Sequence, residues 1–244
     1  MGYGTRMKGS EDMHTTEVRR APYRPSRTVL IGVAAVAVLL IGALAVLLSH
    51  DDSPVTAGTP AGVNASAEEV ATSFLQAYGS FDADQAVAYL ADDADISGLM
   101  TSVGAQGIQG TQGEFRLLIA LLEAQGYKQT HISCEELGSL ASGTRVSCTS
   151  DYHNFRSDEV GRGPFSGVSF DLTVRDGEIV RARKEFGIEE FSPQMWEPFA
   201  SWVSKAYPED VAVMYEGDSG VRLTEESIRL WERHTREYVE IVVG

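Results

Sequence analysis

The sequence predicts an α+β fold, with helices on the concave face of a curved antiparallel sheet, one transmembrane helix before them and further helices after them. Three observations predict it. Thr28–Leu48 is an uncharged apolar run of 21 residues, about 32 Å long as a helix and so matched to a bilayer's hydrocarbon core. Helix-period patterns with capping residues then occupy 67–126. Four strand-like segments separated by turn signals occupy 127–186, and helices grouped around consecutive hairpins define the α+β class.

Residues 1–27 mix charges with Gly, Ser, Thr and Pro and show no apolar period, the composition of a disordered tail. Arg19, Arg20, Arg24 and Arg27 precede the apolar run, whereas His50, Asp51 and Asp52 follow it, so the positive-inside bias puts the N-terminus in the cytoplasm and everything after Leu48 outside. A cleaved signal peptide is the alternative. Its apolar region is normally about 7–15 residues, shorter than this one. Residues 49–65 read as a flexible linker, 66–187 as one folded domain and 188–244 as a helical extension. The expected localisation is therefore the cell membrane, single-pass, with an extracytoplasmic C-terminal domain.

Residues 1–50 carry a charge balance of +3 and residues 51–244 one of −18. A domain so acidic repels nucleic acid and anionic lipid, which excludes polyanion binding as its function. Cys134 and Cys148 are the whole thiol inventory, and an oxidising compartment would let them pair.

Ser66 and Glu69 form an S-x-x-E capping box for a helix over about 67–79, with Val70, Phe74 and Tyr78 on its inner face. The same Ser66 completes an Asn64-Ala65-Ser66 glycosylation acceptor, a reading that the helix following at once displaces. A short helix over about 84–90 runs into the acidic stretch Asp92-Asp93-Ala94-Asp95, expected to be solvated, and 97–113 reads as a glycine-rich loop. Thr111 and Glu114 cap a third helix with Phe115, Leu118, Ile119 and Leu122 inward, stopped at Gly126. Strands follow near 127–137, 144–155, 165–175 and 178–186, the last two joined by Asp176-Gly177. Ser192-Pro193 opens a helix with Trp196, Phe199 and Val203 inward. Pro208 opens a short one with Val211 and Met214, and Thr224 caps the last, with Ile228, Trp231, Thr235 and Tyr238 as its inner stripe.

This order of helix, helix, Leu-Ala-Asp-Asp-Ala-Asp-Ile, capped helix and a sheet ending in Val-Arg-Asp-Gly-Glu-Ile-Val resembles the nuclear transport factor two-like superfamily, in a membrane-anchored bacterial form. The resemblance spans about Ser66 to Gly187 and implies a cone-like fold shared with ketosteroid isomerases and polyketide cyclases. Enzymes of that family set a carboxylate base in an apolar pocket beside a tyrosine or a protonated acid. Against the isomerase pattern, the tyrosine position holds Phe74, the base position holds Gly98 and the acid position holds Phe170, with Asp171 facing the other way. The resemblance therefore implies a cone without isomerase-type catalytic residues.

A five-residue loop Ser139–Gly143 would oppose Cys134 to Cys148, close enough for a disulfide worth about 3 kcal/mol through loop closure. The same register opposes His131 to Asp151 on the outer face, as a surface ion pair. The Asp176-Gly177 turn, continued without interruption, puts Arg181, Arg183 and Glu185 on the face of Phe170 and Leu172. Ligand-pocket candidates are accordingly Phe74, Tyr78, Phe170, Arg181, Arg183 and Glu185, suited to a small anionic or zwitterionic molecule. A bulge in the last strand would turn the three charges outward. Asp92, Asp93 and Asp95 lack further ligands at metal spacing, so no metal or other cofactor is implied.

The expected function is a single-pass, membrane-anchored, extracytoplasmic cone domain without catalysis, binding a small molecule or an envelope protein. Trp196, Trp202 and Trp231 are expected to pack on the sheet, or else to cover the cone mouth or form a docking face. Two alternatives stand beside it. One is a cyclase, dehydratase or isomerase acting on a small apolar substrate. The other is an assembly component of a secretion or conjugation machine.

Overall fold

The computed structural model describes residues 65–244 apart from 106, 218 and 219. The expected cytoplasmic tail 1–27, transmembrane helix 28–48, nearly all of the linker 49–65 and the acceptor Asn64 lie outside the described residues.

Helix α1 (Ala67–Gly79) starts at a complete capping box in which Ser66 accepts from the Glu69 backbone and Glu69 accepts from the Ser66 backbone. Helix α2 (Ala83–Val87) is shorter than its sequence pattern, because Leu90–Ile96 is strand β1 instead of a helix end. Helix α3 (Ser97–Thr101) occupies part of the expected loop, and α4 (Gln112–Ala124) carries the Thr111/Glu114 capping box. The backbone amides that Glu114 accepts hold its carboxyl below the usual range. Strands β2 (Lys128–Leu140), β3 (Gly143–His153), β4 (Phe165–Arg175) and β5 (Glu178–Phe186) follow.

The sheet order is β1-β5-β4-β3-β2, with β1 parallel to β5 and the other pairs antiparallel. This corrects the expected fold in two respects. The sheet is mixed and open at both edges, not a curved antiparallel sheet closing a cone, because the acidic stretch, exposed at Asp92, Asp93 and Asp95 as expected, lies in a strand, β1, that pairs with β5. Also, among the described residues no helix is long and apolar enough to cross a membrane. The longest, α7 (Glu225–Val243), has charged residues along its length, from Glu225 and Arg229 to Glu237 and Glu240. Single-pass anchoring, attachment to the membrane through such a helix and the topology built on it thus find no support.

Helix α1 lies against β2, β3, β4 and β5, and its Val70, Phe74 and Tyr78 are fully buried there. Beyond β5 a π-helical turn (Ser192–Trp196) runs into α5 (Glu197–Ala206), then α6 (Pro208–Met214), a two-residue hairpin of β6 (Tyr215–Glu216) and β7 (Gly220–Val221), and α7. Helix α7 packs on α4, where the Thr235 hydroxyl donates to the Ala124 carbonyl at 3.1 Å. Trp231 is fully buried and stacks with Phe199 and Trp196 at centroid distances of 5.4 and 6.1 Å. Burial on this scale is what holds the extension to the body of the domain.

Two irregularities set the registers. Cys134 opposes Cys148 and the two form a disulfide. An extra residue, Leu137, lets the strands continue to a tight Leu140–Gly143 turn in place of the five-residue loop. In β5, Val174 pairs with Ile179 but Thr173 pairs with Arg181, so Val180 is an extra residue. The turn itself is as expected, with Asp176 and Gly177 both at positive φ, the geometry of a type I′ hairpin.

Candidate functional site

The Val180 bulge reverses the face of everything after it. Ala182 and Lys184 join Leu172 and Phe170 in the core, whereas Arg181, Arg183 and Glu185 are exposed. Lys184 is 4% exposed. Its Nζ lies 3.2 Å from the Tyr78 hydroxyl of α1 and 3.1 Å from that of Tyr127, the residue just before β2. Aromatic rings enclose the rest: Nζ is 4.0 Å from the Phe186 centroid, 4.3 Å from Tyr127, 5.0 Å from Tyr78 and 5.3 Å from Phe170. Among the described residues, no carboxylate pairs with it.

Removing an amine from water without a counter-ion disfavours its charged form. Burial therefore holds Lys184 well below the usual lysine range, and it pushes the Tyr78 and Tyr127 phenols up, so both keep their protons. A neutral amine has two N–H donors and one lone pair. It can accept from one phenol while donating to the other, which satisfies the nitrogen without charge. The cluster is a buried amine, its charged form disfavoured by desolvation, bracketed by two O–H groups.

A cavity of about 360 Å³ lies at the end of the sheet where β3 and β5 finish. Its walls are largely apolar, with Phe155, Phe186, Ile188, Phe191 and Trp196 among them, and Gln125 and Asn154 bring amide groups to it. Phe186 lines the cavity and also lies against the amine, its ring centre 4.0 Å from Nζ, so it is the shared wall of the two. Tyr152 stands beside it at a centroid distance of 5.2 Å, and its hydroxyl donates to the Gly187 carbonyl at 2.8 Å.

The pocket candidates divide by face. Phe74, Tyr78 and Phe170 meet in the core around Lys184, with Phe74 6.1 Å and Phe170 5.7 Å from the Tyr78 ring. None of the three lines the cavity. Arg181 and Arg183 sit on the outer face near Asp95, at 3.5 and 3.8 Å, along a polar groove of about 590 Å³ that also holds the Arg145–Asp171 pair. Glu185 is exposed beside Ser169. His131 contacts Asp151 at 2.9 Å on the exposed surface. Gly98 packs on Arg183, where a Cβ would come within 2.6 Å of the arginine Cγ, so that position has no room for a side chain.

Lys184 is the residue that sequence reasoning missed. Its signal was a break of parity, since Ile179 is odd-numbered while Ala182 and Phe186, the later uncharged members of the strand, are even. One inserted residue reconciles the two. The resemblance implied no ionisable group at the catalytic positions, and Lys184 is a buried ionisable group at a position outside that pattern. Among the described residues no helix is long and apolar enough to cross a membrane, so the reading as a single-pass anchored domain finds no support there.

No protein-family model matches the chain, and no curated protein matches it. Similar solved structures include a candidate polyketide cyclase from Pseudomonas putida KT2440, 16% identical over 53% of this chain and 98% of that one, with a TM-score of 0.37. Another is a candidate polyketide cyclase from Xanthomonas campestris pv. campestris, 19% identical over 51% of this chain and 93% of that one, also at 0.37. An NTF2-like protein of unknown function from Cytophaga hutchinsonii ATCC 33406 is 14% identical over 50% and 91%, at 0.34. At that level of likeness none of them carries an argument about the activity of this chain.

Proposed function

We propose that the protein is an enzyme of the cyclase, dehydratase or isomerase type, moving a proton on a small, mainly apolar substrate held in the 360 Å³ cavity, with Lys184 as the reactive group. The observation that carries this reading is a buried amine with two phenol hydroxyls within 3.2 Å and, among the described residues, no carboxylate paired with it. Desolvation lowers the pKa of such a lysine and so frees its lone pair at lower pH than usual, and positioned acid–base groups contribute about 10²–10⁴-fold in rate. The phenols keep their protons, so they act as hydrogen-bond donors to an oxygen on which charge develops. Phe186 must swing from the shared wall for substrate to reach the amine.

The test is exchange of α-protons in D2O, followed by NMR, for 2-tetralone and phenylacetaldehyde with the full chain. Faster exchange with the native protein than with Lys184→Met is expected. Equal rates for the two proteins would remove the proposal.

A further inference from the structure

Resting on that reading of the site, we propose that Lys184 acts covalently, as an imine-forming amine, and that the substrate class is a small apolar aldehyde or ketone. Three features of the geometry point beyond simple base catalysis. The nitrogen is bracketed by hydroxyls at 3.1 and 3.2 Å, one from Tyr127 and one from Tyr78. A lone base needs one group to relay its proton, whereas imine formation protonates the carbonyl oxygen twice, once on addition and once as water leaves, and each hydroxyl can serve one of these steps. No carboxylate holds the amine as a cation among the described residues, so its lone pair is available. The neighbouring cavity offers apolar and aromatic walls with only a few polar groups, which suits a hydrocarbon body carrying one carbonyl.

The step balances within these groups. The Nζ lone pair forms a bond to the carbonyl carbon while the C=O π pair moves to oxygen, which takes a proton from one phenol. The nitrogen then returns a proton to that phenolate, leaving a neutral carbinolamine. Protonation of its hydroxyl by the second phenol releases water as the nitrogen lone pair forms the C=N bond, and the remaining N–H proton restores that phenol. Amine and carbonyl become imine and water, with no oxidant or reductant. Protonation of the imine draws electrons from the α-carbon and acidifies its C–H, and hydrolysis reverses the sequence and frees the lysine.

The chain has four lysines, Lys8, Lys128, Lys184 and Lys205. Lys205 is exposed and Lys128 pairs with Asp158, which its charge holds below the usual carboxylate range. At pH 7 an ordinary exposed lysine is protonated in all but about one molecule in a thousand or fewer, so selective labelling reports the buried site.

The experiment treats the full chain at pH 7 with trans-cinnamaldehyde and sodium cyanoborohydride, then maps adducts by peptide mass spectrometry. The expected product is a secondary amine on Lys184, heavier by the aldehyde less one oxygen atom, formed at least about tenfold faster than any adduct on Lys205, with the reactive α-amino group mapped separately. Phe186→Ala, which removes the shared wall, is expected to label faster. Adducts confined to the other amines, or Lys184 labelling no faster than Lys205, would overturn the proposal, and mapping the native chain needs no variant to fold. The α-proton exchange assay separates the two levels. Exchange that depends on Lys184 without a trapped adduct overturns the imine and leaves the proton-transfer reading, whereas independence from Lys184 in both assays overturns both.

Discussion

Phe170 of β4 stands directly opposite Lys184 of β5, and the phenylalanine ring centre is 5.3 Å from the lysine nitrogen. Opposed residues of an antiparallel pair share a face, so a side chain that normally seeks water is fixed on the core side of the sheet. The Phe186 and Tyr127 rings then close over it at 4.0 and 4.3 Å. Their quadrupoles recover part of the attraction a cation loses on leaving water, but desolvation outweighs it and the amine is held well below its ordinary range.

That shift has a signature in stability. The unfolded chain protonates Lys184 up to about pH 10.4, whereas burial in the folded protein makes it release that proton at lower pH. Between the two pKa values the unfolded state binds one more proton, so folding stability rises with pH there by about 1.36 kcal/mol per unit. Lys184→Met lacks this dependence. Urea titrations from pH 8 to 10 are expected to show the native chain gaining on the variant by about that slope. The raised Tyr78 and Tyr127 act in the opposite sense above about pH 10, but equally in both proteins, so they cancel in the difference. Parallel curves would mean that Lys184 is charged in the fold.

The Cys134–Cys148 bridge ties the hairpin of β2 and β3 across a sequence separation of 14 residues. Closing a loop of that size lowers the entropy of the unfolded chain by the equivalent of about 3 kcal/mol. Cys134→Ala/Cys148→Ala is therefore expected to lose about 3 kcal/mol in urea unfolding, with extra cost from the cavity at fully buried Cys148. Reducing agent should destabilise the native chain in the same direction and leave the double variant unchanged.

How far the sequence reaches can be judged at particular residues. Both capping boxes, at Ser66/Glu69 and Thr111/Glu114, were legible because their partners are three residues apart and their chemistry is local. The Asp176-Gly177 turn was legible for the same reason. Strand β1 was not, since Leu-Ala-Asp-Asp-Ala-Asp-Ile has no strand period and its extended form depends on pairing with β5, about 90 residues away. The face of Lys184 was hidden by one bulged residue, because a period of two turns a single insertion into a complete reversal. Of the site, Phe74, Tyr78 and Phe170 were legible as inner-face residues. Tyr127 and Lys184 were not, since their meeting needs the helices and the bulge at once.

Arg181 and Arg183 lie on the opposite side of the sheet from the amine, each about half-exposed and at 3.5 Å or more from Asp95. Exposed pairs of that length are screened and contribute little, typically about 0–1 kcal/mol. Arg181→Ala/Arg183→Ala is expected to change stability by no more than about 1 kcal/mol and to leave trans-cinnamaldehyde labelling of Lys184 at the native rate. A tenfold fall in labelling would place these guanidinium groups in the same site as the amine.

Deleting Val180 tests the origin of the reversal. In the observed ladder Val174 pairs with Ile179 and Thr173 with Arg181, so both partners on either side of Val180 are already consecutive on β4. Removing the extra residue lets β5 continue as a regular strand with Ile179, Ala182 and Lys184 all inward and Arg181 and Arg183 outward. The deletion forfeits the local twist that the bulge supplies and the fit of β1 along β5, whose register also shifts in this stretch. A loss of about 1–3 kcal/mol in urea unfolding is the expected outcome, in the range of an ordinary destabilising change, with Lys184 still labelled selectively. If Lys184 of the deletion variant instead labels like exposed Lys205, the pairing of Lys184 with Phe170 needs the bulge itself, through the twist it gives β5 and its fit to β1, and not only the register that turn and core then share.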